Sequence, residues 1–312
     1  MKKTAIENDS SVTEFILVGL TEQPELQLPL FILFLVNYIV TLMGNLTLMN
    51  LICLNSHLHT PMYFFLFNLS CIDFCYSCVF TPKMLMSFIS ENTISFTGCM
   101  TQLFFFCFFG SVECYVLTSM AYDRYAAICQ PLMYTIVMSP RLCSLLMFGS
   151  YFMGFAGAMA HTGCMIRLHF CDSNIINHYM CDIIPLLPLS CSSTYVNELV
   201  SSIVVGTVVL VSSVVILTSY ALILLSIFRM PSAKGWSKAM STCGSHIIAV
   251  SLFYGSSLLT YIKPTTSETE DQGKFFSVFY TLVVPMMNPL IYSLRNKDVK
   301  IAVKKTMKRI TN

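Results

Sequence analysis

The chain has 312 residues, 55% of them hydrophobic and 11% charged, with 14 cysteines and a net charge of +2. Soluble domains carry about 25% charged residues, so the composition excludes an ordinary soluble globular protein. It also gives no support to nucleic-acid binding, because the basic cluster at 295–309 sits where anionic inner-leaflet lipids would lie.

The chain begins MKKTAIENDSSVTEFILVGL, a basic start followed only by the short apolar piece FILVGL, too brief for a secretory signal. The first spanning helix is therefore expected to act as an uncleaved signal. Runs able to cross about 30 Å of hydrocarbon fall near 26–53, 61–88, 98–128, 143–162, 198–228, 239–262 and 273–294. They predict an all-α membrane protein, a seven-helix transmembrane bundle over 26–294 with an outer N-terminus at 1–25 and a tail at 295–312. An odd number of spans puts the termini on opposite sides.

Lys and Arg prefer cytoplasmic loops. One side carries Arg124, Arg141, Arg229, Lys234, Lys238 and the basic run from Arg295 to Arg309, whereas the other keeps Lys2, Lys3, Lys83, Arg167, Lys263 and Lys274. The tail is thus predicted to be cytoplasmic and the N-terminus extracellular, at the plasma membrane. Asn8 in NDS then becomes a reachable glycosylation acceptor, while Asn45 in NLT and Asn68 in NLS fall inside spans.

Between the fourth and fifth runs lies a long outer loop, 163–197, with turn formers and cysteines ten residues apart, which reads as a pinned irregular lid. Cys99, Cys171, Cys181 and Cys191 lie on the oxidising side, where four cysteines allow three pairings. His169, Cys171, His178 and Cys181 have metal-ligand chemistry, but they lack a structural-zinc spacing, and disulfides would consume both sulfurs. After the last span, RNKDVKIAVKKTMKRI sets Val299, Ile301, Val303, Met307 and Ile310 among lysines, the pattern of a short amphipathic helix on the inner membrane surface. It holds no cysteine for a palmitoyl anchor.

Charges inside spanning segments are functional candidates because burying them in hydrocarbon costs several kcal/mol. Two are deep, Asp73 in NLSCIDFCYS and Glu113 in GSVECYV. On the third run Phe106, Gly110, Glu113, Leu117 and Arg124 share one helical face, so an aromatic, an acid and a base occupy three depths of one stripe. Arg124 lies roughly 37 Å from Cys99 along the helix, at the interface, where two readings stand. It is a snorkelling anchor paired with Asp123, or it is a moving part.

GN at Gly44–Asn45, LSxxD ending at Asp73, MAYDRYAAIC and NPLIYSLRN resemble the signature positions of rhodopsin-like G-protein-coupled receptors. More narrowly, PMYFFLFNLS, PKML, KAMSTCGSHI, FYGSS and the Cys171/Cys181/Cys191 ladder resemble tetrapod-type odorant receptors, in order from about Phe15 to Ile310. The resemblance implies disulfides Cys99–Cys181 and Cys171–Cys191. It implies a G-protein switch built from Asp123, Arg124, Tyr125, Tyr220, Asn288, Pro289 and Tyr292, with Arg124 releasing Asp123 as the sixth helix swings outward. Asp73, Glu113, Asn45 and Asn288 would form a polar cluster able to hold a sodium ion, the other reading being that one carboxyl is protonated.

Phe106, Cys107, Gly110 and Ser111 follow from the third-helix stripe as ligand contacts, and the resemblance adds Val205, Val208, Tyr254, Leu258, Tyr261, Val278 and Thr281. Each of these also suits plain helix packing. That wall lacks an acid to receive an amine, so a neutral or weakly polar volatile is expected. The implied partners are a small volatile odorant, a stimulatory G protein and membrane lipid. Met240, Ala126 and Tyr254 depart from commoner family residues without disabling any motif.

No HExxH, GxSxG or phosphate-loop pattern points to an enzyme. The runner-up is an ion-coupled transporter or channel using Asp73 and Glu113, against which stand the odd span count and the lack of paired repeat halves.

Overall fold

A computed structural model describes residues 12–21, 23–90, 92–171, 173–229, 233–261, 267–295 and 297–311, with side chains described for these except 233–239, 241–242, 260–261, 267–272, 294–295, 297 and 307–311. Asn8 and the side chain of Tyr261 therefore lie outside the described residues.

A short strand β1 (Glu14–Leu17) leads into α1 (Pro24–Leu54) and α2 (Pro61–Met86), each opened by a proline in the first turn. Proline suits that position because its ring fixes a helical φ and the missing N–H has no helical acceptor there. Strand β2 (Thr93–Ser95) precedes α3 (Phe96–Cys129), whose cap is Ser95 accepting from Gly98 N at 3.1 Å. Next come a single-turn helix α4 (Tyr134–Val137), then α5 (Pro140–Met165), capped by Ser139. The lid contains strand β3 (Ile175–Ile176) and a one-turn helix α6 (Ile183–Leu186), ahead of α7 (Tyr195–Phe228) and α8 (Ala233–Tyr261). The last span runs through α9 (Ser267–Val278), a π-helical stretch Phe279–Val283 and α10 (Val284–Arg295), and α11 (Lys297–Thr311) follows.

Six stretches are long and apolar enough to cross a membrane: α1, α2, α3, α5, α7 and Gly273–Ser293. Cys243–Leu259 of α8 is a shorter apolar helix and completes a seven-helix bundle. The helix α3 forms its axis and packs against α2, α5 and α7. At Gly154 of α5 a Cβ would lie 2.5 Å from Val112 Cγ2 and 3.1 Å from the Phe108 carbonyl, so only glycine admits this approach to α3. Close backbone contact of this kind drives helix association where lipid offers no hydrophobic gain.

The seventh run is longer than its apolar core suggests and is not uniform. The π-helical stretch carries an extra residue, so a face assigned by a steady 3.6-residue period drifts across it. FILVGL, expected only to be too short for a signal, gives its first three residues to β1, the middle of a three-stranded sheet ordered β2-β1-β3. Glu14, Phe15 and Ile16 face Ser95, Ile94 and Thr93, while Ile16 and Leu17 run parallel to Ile175 and Ile176. Alternation buries Phe15 and Leu17 and exposes Glu14 and Ile16. The Phe15 ring meets Phe170 edge-on at 5.4 Å and Phe96 at 6.3 Å.

In α11, Val299 and Ala302 are buried against the bundle, Val303 packs beside them and Lys300, Lys304 and Lys305 face out. Ile301 is exposed, and the side chains of Met307 and Ile310 lie outside the described residues.

Candidate functional site

Near the lid the helices part around a cavity of 430 Å³ walled by α3, α5, α7, α8 and the lid. Phe106, Cys107, Gly110 and Ser111 enter it from α3 on successive turns, Val205 and Val208 from α7, and Tyr254 and Leu258 from α8. Val278 and Thr281 stand elsewhere. Val278 packs into the apolar cluster beneath the lid, and Thr281 bonds the Tyr179 hydroxyl at 2.9 Å and donates to Ser277 O at 2.8 Å. The family resemblance assigns both to the ligand, and they lie in and just before the π-helical stretch Phe279–Val283.

Among the wall residues that sequence reasoning missed are Tyr76 from α2, His161 from α5, Asp182 from the lid and Tyr280 from the π-helical stretch. The sequence carried one usable signal. Asp182 directly follows Cys181, which is bonded to Cys99 at the start of α3 with the Cα atoms 5.5 Å apart. The Cys181 N–H also donates to Gln102 Oε1 at 2.8 Å, so this part of the lid is fixed to α3 twice. A second disulfide joins Cys171 to Cys191.

Burial shapes the chemistry of the lid. It raises the Asp182 carboxyl to about 6, the Ile183 N–H drawing it back in part. His178 is pushed down to about 3 by burial and by the positive charge of Lys274. Its Nδ1 accepts from Met180 N at 3.3 Å, which assigns a neutral ring with the proton on Nε2, 3.3 Å from Ser277 Oγ. Tyr179, stacked on His178, is raised by burial.

Halfway along the bundle, Asn288 Nδ2 donates to Asp73 Oδ2 at 2.9 Å, and Asn45 Nδ2 donates to the Pro285 carbonyl at 3.1 Å. Asp73 Oδ1, both Glu113 carboxyl oxygens, Asn45 Oδ1 and Asn288 Oδ1 are buried with no hydrogen-bond partner among the described residues. Pro289 packs closely on Gly44, where a Cβ would lie 3.1 Å from the proline ring.

At the far end of α3, Arg124 is 9% exposed and its Nε donates to Asp123 Oδ2 at 3.1 Å. Tyr134 of α4 donates to Asp123 Oδ1 at 2.7 Å, so the acid is gripped from both sides. Burial and the adjacent Asp123 raise the Tyr134 phenol, which keeps it a donor. Tyr220 bonds His246 Nδ1, and His246 Nε2 lies 3.0 Å from the Leu117 carbonyl on α3. Tyr125 packs beside Ile223, Ile227 and Cys243, and the buried Tyr292 hydroxyl has no hydrogen-bond partner among the described residues. Neither Tyr134 nor His246 was anticipated, although SH of KAMSTCGSHI ends on the latter.

A seven-helix bundle with a ligand-sized cavity at one end and a gripped Asp-Arg pair at the other is built as a multi-pass membrane receptor of the G-protein-coupled type. Its fold matches the crystal structure of squid rhodopsin with a TM-score of 0.71 at 20% identity, covering 92% of this chain and 87% of that one. Residues 34–309 match the olfactory receptor family. Olfactory receptor 8C8 of Mus musculus is 75% identical over the full length of both chains, and olfactory receptor 8B4 of Homo sapiens is 67% identical over 98% of this chain and 99% of its own. The chain belongs to the olfactory receptor family, whose members are signalling receptors and not enzymes.

Proposed function

We propose that the chain binds a small volatile odorant in the lid-end cavity and activates a stimulatory, olfactory-type G protein at the opposite end, raising cyclic AMP. The N-terminus is extracellular, the tail lies in the cytoplasm, and Asn8 carries a glycan at the plasma membrane. One observation carries this reading. A single helix, α3, lines the cavity with Phe106 and holds Arg124 about 27 Å further along.

A ligand acts by preferring one of two arrangements of the bundle. In the arrangement described, Arg124 is occupied by Asp123, Asp123 by Tyr134, and Tyr220 by His246. Contacts with Tyr254 and Leu258 move α8 against α7, and separation of Tyr220 from His246 frees the tyrosine to turn toward Arg124. Tyr125, Asn288, Pro289 and Tyr292 border this path, and the residues around Arg124 become the surface a G protein meets.

The unpaired oxygens of Asp73, Glu113, Asn45 and Asn288 suit a hard monovalent cation, which binds through oxygen. These four residues would hold a sodium ion, which would balance one of the two buried carboxylates, the other carrying a proton. Asn288 then ties the cluster to the Pro289 and Tyr292 segment.

Arg124→Ala tests the switch in cells carrying a cyclic-AMP reporter. The variant should reach the surface and lose its odorant response. Normal signalling by the variant would refute the switch role, and a ligand-evoked current that persists without any G protein would favour a channel.

A further inference from the structure

We propose that Asp182 makes the cavity a site for volatile amines, its second carboxyl oxygen receiving the ligand's ammonium group. The inference rests on the reading of that cavity as the odorant site and assigns the ligand's chemical class.

Asp182 is only 5% exposed and lines the cavity wall. Its Oδ1 accepts from Ile183 N at 2.6 Å, capping α6, and no second donor to the side chain occurs among the described residues. Nor does a basic side chain among the described residues neutralise it. The one ion pair among the described residues is Arg124 with Asp123 at the other end of α3. Lys274, which meets the lid, directs its amine to Asn177 Oδ1 at 2.6 Å.

A buried carboxylate with an unfilled acceptor is costly, and a charge-assisted hydrogen bond in a dry cavity is the arrangement that relieves it. Burial raises this carboxyl only to about 6, so most molecules carry the negative charge at neutral pH. An aliphatic amine is protonated under the same conditions. The Cys99–Cys181 bond and the Gln102 contact hold the backbone beside Asp182 in place, so the acid is positioned before the ligand arrives.

The rest of the wall suits the other half of such a molecule. Tyr76, Phe106 and Tyr280 offer aromatic faces, which attract a cation as well as hydrocarbon, and Val208 and Leu258 complete an apolar chamber. His161, in the same wall, offers ring nitrogens for hydrogen bonding to a ligand. The absence of an acid, read from the helices alone, is thus reversed by the lid.

The test compares linear and cyclic amines of four to ten carbons with alcohols of the same skeletons, using the full chain and a cyclic-AMP reporter. At least one amine should act at a tenfold lower concentration than its matched alcohol. Asp182→Asn keeps the helix cap, since Asn caps as well as Asp. It should raise the half-maximal concentration of that amine at least tenfold and move the alcohol by less than threefold. Asp182→Ser, which also caps, serves if the first variant is poorly delivered, and surface staining normalises all responses.

Activation by neutral volatiles with no amine response, or an amine response unchanged in both variants, overturns the proposal and leaves the receptor reading standing. The melting temperature of the purified receptor with n-hexylamine separates the remaining outcomes. An Asp182-dependent rise without any cyclic-AMP signal supports the amine site and sinks the signalling role. No rise and no signal from any volatile sinks both.

Discussion

The two ends of α3 are held by different kinds of bond. At the lid end it is fastened by the Cys99–Cys181 disulfide and lies under a sheet whose centre strand buries Phe15 and Leu17. At the other end the contacts are exchangeable side-chain ones: the Arg124–Asp123 ion pair, the hydrogen bond from Tyr134 to Asp123, and His246, itself bonded to Tyr220, on the Leu117 carbonyl. A disulfide or a buried aromatic resists exchange, whereas a single hydrogen bond contributes about 1 kcal/mol net and can be traded for another. The molecule is therefore built to keep one end and to rearrange the other.

Four changes break or sharpen that contrast. Cys99→Ser should do most harm. It opens a link between residues 82 apart in sequence, where chain-entropy estimates give about 4 kcal/mol. Surface staining should fall to background, and normal delivery would show that the lid end does not depend on the bond. Phe15→Ala comes next, at about 3 kcal/mol for a fully buried ring. Melting of the purified receptor should report the loss, and an unchanged transition would mean that β1 merely rests on the lid.

Acid should weaken the lid by a smaller amount. His178 has a folded-state value of about 3, against about 6.5 when unfolded. The unfolded chain therefore binds the extra proton first, and stability falls as pH drops below about 6.5, by about 2 kcal/mol at pH 5. Asp182, raised to about 6, works in the opposite direction. Replacing His178 with Asn leaves the opposite Asp182 contribution alone, so the fall in melting temperature between pH 7 and pH 5 should turn into a rise; curves parallel to wild type would remove His178 from the account.

Tyr134→Phe should have the smallest energetic effect and act at the other end. Losing its 2.7 Å bond to Asp123 removes one restraint on the resting arrangement. At about 1 kcal/mol this should raise ligand-free cyclic AMP about fivefold with a fall of only about 2 °C in melting temperature. A drop in stability without a rise in basal signal would make Tyr134 a packing residue.

Much of this contrast could be read from the sequence, because its signals are long or covalent. Spans declare themselves by length, charge by its separation, and the lid by its cysteines. The misses share a physical cause, since each depends on a short segment whose conformation is decided by its neighbours. FILVGL has the apolarity of a strand, but only β2 and β3 make it one. Tyr134 reaches Asp123 because a single helical turn follows α3, and no periodic pattern announces a single turn. The family resemblance assigns Thr281 to the ligand, whereas in the π-helical stretch its hydroxyl bonds Tyr179. Asp182 was not singled out at all, because only the folded lid carries it into the chamber.

The strand at Glu14–Leu17 also sets a boundary for protein engineering. Epitope tags, secretion leaders and fluorescent fusions are commonly joined to the front of such a chain. Here Phe96 N donates to the Thr13 carbonyl at 2.9 Å, and the paired residues begin at Glu14. A graft that ends before Thr13 leaves the sheet whole. One that replaces residues 13–17 removes the central strand and the pairing that holds β3, leaving the lid that carries the cavity's acid to its disulfides and the Gln102 contact.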